Sequence, residues 1–268
     1  MNQHSNITKT INWLPPVILV LLLSTTSSCE KEDDKVSIRM LFNHTVVNEP
    51  IQKDTMMYIN AAGNIYEVNE LQYFISEVGF WTMGQRHIME SGEIIYLDID
   101  IPSTLEWVPE QKLPEGHYDS VSFVFGINKE KNKSGLFVNP PERDMFWPEM
   151  MGGGYHYMKM NGKWKTTGES IEPFNLHLGI GMKLDSTGNK EFIHNCFTVT
   201  LPLNNCNLDH SKPVNRFQLT MDINSWFESP NNWDWNVIGG QIMQNQDAMQ
   251  QASRNGWDVF SIHYDQTD

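Results

Sequence analysis

The densest run of chemistry-bearing side chains is Met145-Phe146-Trp147-Pro148-Glu149-Met150-Met151-Gly152-Gly153-Gly154-Tyr155-His156-Tyr157-Met158-Lys159-Met160. A tryptophan and two adjacent methionines precede three consecutive glycines, and a histidine follows. Such a glycine run costs backbone entropy on folding and is kept where the chain must turn sharply or let another group come close. Four histidines, His44, His156, His177 and His263, fall on or at the ends of segments that read as strands. Imidazole suits copper, and thioether is a soft ligand that favours Cu(I) over hard cations. The bland alternatives are a hydrogen-bonded core histidine and methionine used as packing material.

Other chemistry has less support. The sequence contains no Gly-x-Ser-x-Gly elbow, phosphate loop, dinucleotide fingerprint or His-Glu-x-x-His, so no enzymatic activity is expected. Asp98 and Asp100 lack the glycine-punctuated acidic loop of a calcium site and read as a solvated strand edge. Nine tryptophans invite a second reading, a surface that stacks on a glycan through Trp147, Trp233 and Trp235; otherwise tryptophan fills a large core.

The elements that must position these residues are mostly strands. Residues 36–44 alternate at period two, with Val36, Ile38, Met40, Phe42 and His44 on one face. Residues 65–68, 71–81, 93–99, 119–127, 173–183, 192–203, 216–226 and 258–264 read similarly. Residues 155–160 place His156, Met158 and Met160 on one face and Tyr155, Tyr157 and Lys159 on the other. Asn161-Gly162 reads as a hairpin turn. His177 lies opposite the apolar row Phe174, Leu176, Leu178 and Ile180, where core packing explains it poorly. Residues 128–144 form a long loop of the kind often tied to function. A helix is expected over residues 237–255, ending at Asn255-Gly256. About nine strands and one late helix predict an antiparallel β-sandwich.

The N-terminus is a targeting segment. Residues 14–23 are apolar but too short for a membrane-spanning helix. They lead into Ser27-Ser28-Cys29, which resembles a bacterial lipobox with Cys29 as the lipidated residue. This divides the chain into a signal peptide, 1–28, a charged tether, 29–35, and a domain, 36–268. The tether's Lys31-Glu32-Asp33-Asp34 resembles the surface-export signal of Bacteroidota lipoproteins. The expected location is therefore the outer membrane, at the cell surface or on the periplasmic face, held by lipid alone. The formal net charge of −14 argues against nucleic acid and anionic lipid as partners. With Cys29 assigned, Cys196 and Cys206 remain, and an even pair in an exported protein favours a disulfide.

One ordered set of motifs spans residues 36–264. It comprises Phe42-x-His44, Leu71-x-Tyr73-Phe74-Ile75-Ser76, Pro114-x-Gly116-x-Tyr118, Phe123-x-x-Gly126 and Met145-Phe146-Trp147-Pro148. Gly154-Tyr155, Phe174-x-x-His177-x-Gly179 and Phe260-Ser261-x-His263 complete it. The set resembles the MbnP-like family of copper-binding proteins, extracytoplasmic partners of a dihaem MbnH-type peroxidase. The resemblance implies a β-sandwich that holds copper through histidine, with His44, His177 and His263 as ligands. It also implies that Trp147 is the tryptophan oxidised to kynurenine. Glu149 stands where the family usually has a second tryptophan.

Overall fold

The computed structural model of the chain describes Met1 and residues 35–265, apart from 89–92, 213 and 244. The expectations for residues 1–28 and for lipidation at Cys29 fall outside the described residues, as does the tether up to Lys35. The described residues from Lys35 onward belong to one compact unit.

The fold is a β-sandwich. Its principal strands are β1 (Ile38–Val46), β2 (Ile65–Thr82), β3 (Ile94–Asp98), β4 (Gly116–Phe125), β5 (Met158–Lys165) and β6 (Ile171–Leu178). They continue with β7 (Ile180–Leu184), β8 (Lys190–His194), β9 (Phe197–Leu208), β10 (Asn215–Asp222) and β11 (Phe260–Asp265). The larger sheet runs β6-β5-β2-β4-β9, and the smaller has β10 between β11 and β1. Strand β2 organises the larger sheet because it is long enough to serve several partners, β3 pairing with its middle from Gln72 to Ser76. Its first half pairs with β5 and its second half with β4. All pairings among these strands are antiparallel except β1 with β10, which is parallel, from Ile38 beside Asn215 to Thr45 beside Asp222.

The two sheets meet through aromatic side chains. Tyr66 packs edge-on to Phe227, Phe80 against Phe217, and Phe125 against Phe260, with ring centroids 5.2 to 5.7 Å apart. Such pairs add roughly 0.5–1.5 kcal/mol each beyond the area they bury. Alternation in β1 turns Ile38, Met40, Phe42, His44 and Val46 into this core, as the sequence pattern requires.

The opposite face of the larger sheet is also covered. The loop over residues 126–157 folds across it, stacking Phe137 on Phe74 at 5.4 Å and setting Tyr155 edge-on to Phe137 at 4.9 Å. Asp98 is accordingly buried, not a solvated edge residue. It accepts hydrogen bonds from Gln72 Nε2, Tyr96 Oη and the Asp100 backbone N–H.

Three local expectations are corrected. Asn161-Gly162 is not a turn: β5 runs straight through it, and the hairpin closes later, with Thr166 N–H donating to Ser170 O. Gly162 is needed for close approach, since a Cβ there would sit 2.0 Å from Glu67 O and 2.5 Å from Phe174 Cζ. The expected helix over 237–255 is split into a single turn, Trp235–Ile238, and a helix α1, Gln246–Asn255, capped by the Asn245 side chain. Gly239 at φ +81° breaks it, and the Gly240 backbone packs against Pro173 O, which a Cβ would approach to 2.2 Å. Cys196 and Cys206 are both free. Cys196 stands before β9 and Cys206 near its far end, so an extended strand holds them about 30 Å apart, far beyond disulfide reach.

Gly162→Ala is expected to lower stability by about 2 kcal/mol or more in urea denaturation, through backbone overpacking. A neutral substitution would mean that the β2–β5 contact is looser than described.

Candidate metal centre

The loop over the larger sheet is closed by its own backbone. Phe146 and Tyr155 form an isolated antiparallel bridge. Beside it, His156 N–H donates to Met145 O at 2.7 Å and Trp147 N–H to Gly154 O at 2.8 Å. Between them Gly152, Gly153 and Gly154 take φ of +112°, +69° and +80°, a left-handed run that side-chain-bearing residues adopt only under strain. Each glycine is also crowded: a Cβ would lie 2.7 Å from Ile180 Cγ2, 2.7 Å from Glu149 Oε2 and 2.5 Å from Asn132 Oδ1 respectively. The run therefore turns the chain through a space with no room for side chains, and brings Trp147 against His156.

His156 does not continue the Met158 and Met160 row. The backbone bends at Tyr157 before β5 begins, and His156 meets His177 instead, with ring centroids 5.1 Å apart and planes at 83°. His177 lies opposite Lys159, which lies opposite Gln72, on the face of the larger sheet away from the small one. Trp147 stands edge-on to His156 at 4.6 Å. Its indole rests on the Gly179 backbone, where a Cβ would be 2.6 Å from Trp147 Cε3, and its Nε1–H donates to Met151 O at 3.2 Å.

Hydrogen bonds assign the tautomer of both rings. His156 Nδ1 lies 2.9 Å from Met145 O, a carbonyl that only accepts, so Nδ1 carries the proton and Nε2 the lone pair. His177 Nε2 lies 2.8 Å from Asn161 Oδ1. Asn161 is oriented by Glu70, whose carboxylate accepts from Asn161 Nδ2, so the oxygen faces His177 and leaves the lone pair on Nδ1. His156 Nε2 and His177 Nδ1 are both buried without a hydrogen-bond partner among the described residues. Burial, chiefly, lowers the His156 pKa to about 3 and that of His177 to about 4, with the Lys159 ammonium acting in the same direction on both. Both rings are therefore neutral donors at neutral pH. Two adjacent neutral imidazoles with free lone pairs are a donor set that suits copper.

The residues singled out in the sequence are dispersed. His44 lies in the inward row of β1, before Val46, and its Nε2 is 3.0 Å from Tyr73 Oη in the core between the sheets. Desolvation lowers its pKa to about 4. His263 is exposed on β11, opposite Gln218. His44 and His177 thus lie on opposite sides of the larger sheet, and His263 lies on the outer side of the smaller one. Of the three, only His177 is in the pair. Among the described residues, no group of three or more His, Cys, Asp or Glu side chains is placed to hold a metal. The glycan alternative loses its contact residues, because Trp147, Trp233 and Trp235 are all fully buried. Sequence reasoning left His156 and Asn161 out of the ligand set, because the family resemblance implicated His44, His177 and His263 and a turn motif claimed Asn161. The glycine run directly before His156 was the available signal.

The chain matches the family model described as MbnP over residues 35–248. Among solved structures it is similar to MbnP from Methylosinus trichosporium, with a TM-score of 0.55 and 12% identity over 86% of this chain and 99% of that one. At that identity the likeness is one of fold. No curated protein sequence matches it.

Depressed imidazole pKa values mean that the unfolded chain binds more protons than the folded one between about pH 4 and 6.5. Stability is therefore lost as pH falls through that window. Urea midpoints of metal-free protein at about pH 7, 5.5 and 4.5 are expected to fall in that order, and less steeply in His44→Phe, which removes one such group. Equal slopes in both proteins would show that His44 is not held neutral by burial.

Proposed function

Because the chain belongs to the MbnP family, we propose that it is a non-enzymatic, exported copper-binding protein whose site is the His156–His177 pair beside Trp147. The observation that carries this reading is the pair of orphaned lone-pair nitrogens, His156 Nε2 and His177 Nδ1, on rings 5.1 Å apart. A buried acceptor nitrogen left without a partner costs free energy that a bound ion would recover. Met145 O and the Asn161–Glu70 relay are the supporting shell that sets tautomer and ring orientation. Copper is cargo here, and the chain supplies neutral imidazoles that need lose no proton to bind it.

The remaining parts of the proposal follow from the resemblance. Cys29 carries the lipid that holds the protein at the outer membrane, on the cell surface. Trp147 is oxidised to kynurenine by a dihaem MbnH-type peroxidase. Two equivalents of peroxide, the co-substrate of such an enzyme, would cleave the pyrrole C2–C3 bond, and hydrolysis would release C2 as formate. This replaces an N–H that can only donate with an arylamine and a carbonyl, giving a further donor beside His156. Trp147 is wholly buried, so an external oxidant must draw electrons from it through intervening side chains.

Copper titration of the full chain and its variants tests the site. His156→Ala or His177→Ala is expected to weaken binding by more than the roughly 10–100-fold that loss of a supporting partner costs, and Asn161→Ala by roughly 10–100-fold. His44→Phe and His263→Ala are expected to bind as the parent does. Undiminished affinity in both His156→Ala and His177→Ala would overturn the assignment, whereas loss in His263→Ala would relocate the site. Peptide mass spectrometry of protein from its native host tests the Trp147 modification independently.

A further inference from the structure

A cavity of about 200 Å³ lined mainly by methionines is linked to the imidazole pair through Trp147, whose Nε1–H donates to Met151 O and whose ring stands 4.6 Å from His156. Met150, Met151, Met182, Met243 and Met249 contribute to it, with Gly181 and Lys190 completing the wall. The five come from four separate segments of the chain. Met150 and Met151 sit on the 3-10 turn before the glycine run, Met182 on β7, Met243 in the segment before α1, and Met249 on α1 itself. Core packing accounts for Met249, which is 1% exposed, but not for Met150 and Met182, which are 74% and 37% exposed at the rim. An apolar side chain gains little there from burial, and leucine would serve packing equally well.

We propose that this cleft is a second, thioether metal site that takes a soft monovalent ion, Cu(I), and stands at the approach to the imidazole pair. Thioether sulfur is a soft ligand, and convergence of several offers a soft ion coordination that a single surface methionine cannot. Among the described residues no carboxylate lines the cleft, and the charged side chain there is the cationic Lys190, so hard divalent cations find neither ligand nor favourable charge. Met151 joins the two sites, since its side chain lines the cleft while its carbonyl accepts from Trp147 Nε1–H. That the natural ion is copper rests on the function proposed above; the thioether lining does not.

The test uses the full chain labelled with 13C at the methionine methyls and titrated with Ag(I), a redox-inert stand-in for Cu(I), with stoichiometry read by native mass spectrometry. The expected result is two ions per chain, with methyl shifts for the cleft methionines and none for Met83, which is 95% exposed and lies outside the cleft. Met150→Leu/Met182→Leu is expected to reduce the count to one and to weaken cleft binding at least ~10-fold. His156→Ala/His177→Ala is expected to keep the cleft shifts while losing the other ion, so the two sites fail separately. Cleft methyls that do not move, Met83 moving as much as they do, or a Met150→Leu/Met182→Leu protein still binding two ions would each overturn the proposal.

Discussion

One carbonyl oxygen holds the candidate site together. Met145 O accepts both the backbone N–H of His156 and its ring Nδ1–H. The first bond closes the glycine loop and places His156 over the outer face of the larger sheet. The second sets the tautomer that leaves Nε2 free. Loss of loop closure would remove the ring contact with His177, the edge contact with Trp147 and the neutral state of both imidazoles together, because all three depend on burial under that loop.

Burial by itself does not make a site, as His44 demonstrates. Its ring is as buried as that of His156 and its pKa is likewise depressed. Yet its Nε2 meets Tyr73 Oη inside the aromatic core, a partner that satisfies it. His156 and His177 each spend one nitrogen on an obligate acceptor and keep a lone pair with nothing to bind. The difference lies in what surrounds equal degrees of desolvation, and it separates a structural histidine from a candidate ligand.

Glycine does two different jobs around this centre. Gly152, Gly153 and Gly154 supply left-handed backbone in a crowded turn. Gly162 and Gly179 instead supply flatness: one lets β5 approach β2, and the other lets the Trp147 indole lie on the main chain at the junction of β6 and β7. Because Gly162 is spent inside the strand, neighbouring Asn161 stays on the outer face, where it orients His177. The same glycine turn leaves Met150 at the rim of the sulfur-lined cleft, so both features derive from one unusual loop.

Much of the architecture was legible from residue pattern. Period-two alternation defined β1 and β10 and their inward rows, and the ordered motifs indicated the family, because both are properties of short segments. The pattern also placed His177 on a non-core face and marked the glycine run as a turn. It misread Asn161-Gly162, the start of the late helix and the Cys196–Cys206 pair. In the first two cases a contact distant in sequence decided the outcome, Glu67 against Gly162 and Pro173 against Gly240; in the third, one extended strand keeps the two sulfurs apart. Membership of the imidazole pair was decided the same way. Alternation put His156 on one face with Met158 and Met160, but a bend at Tyr157 separates it from that row, and only the closed loop set it beside His177. The amino-acid sequence by itself determined which side chains could do the chemistry and which strands would carry them. The tertiary structure decided which of them share one desolvated space, because that depends on close approach between segments far apart in the chain.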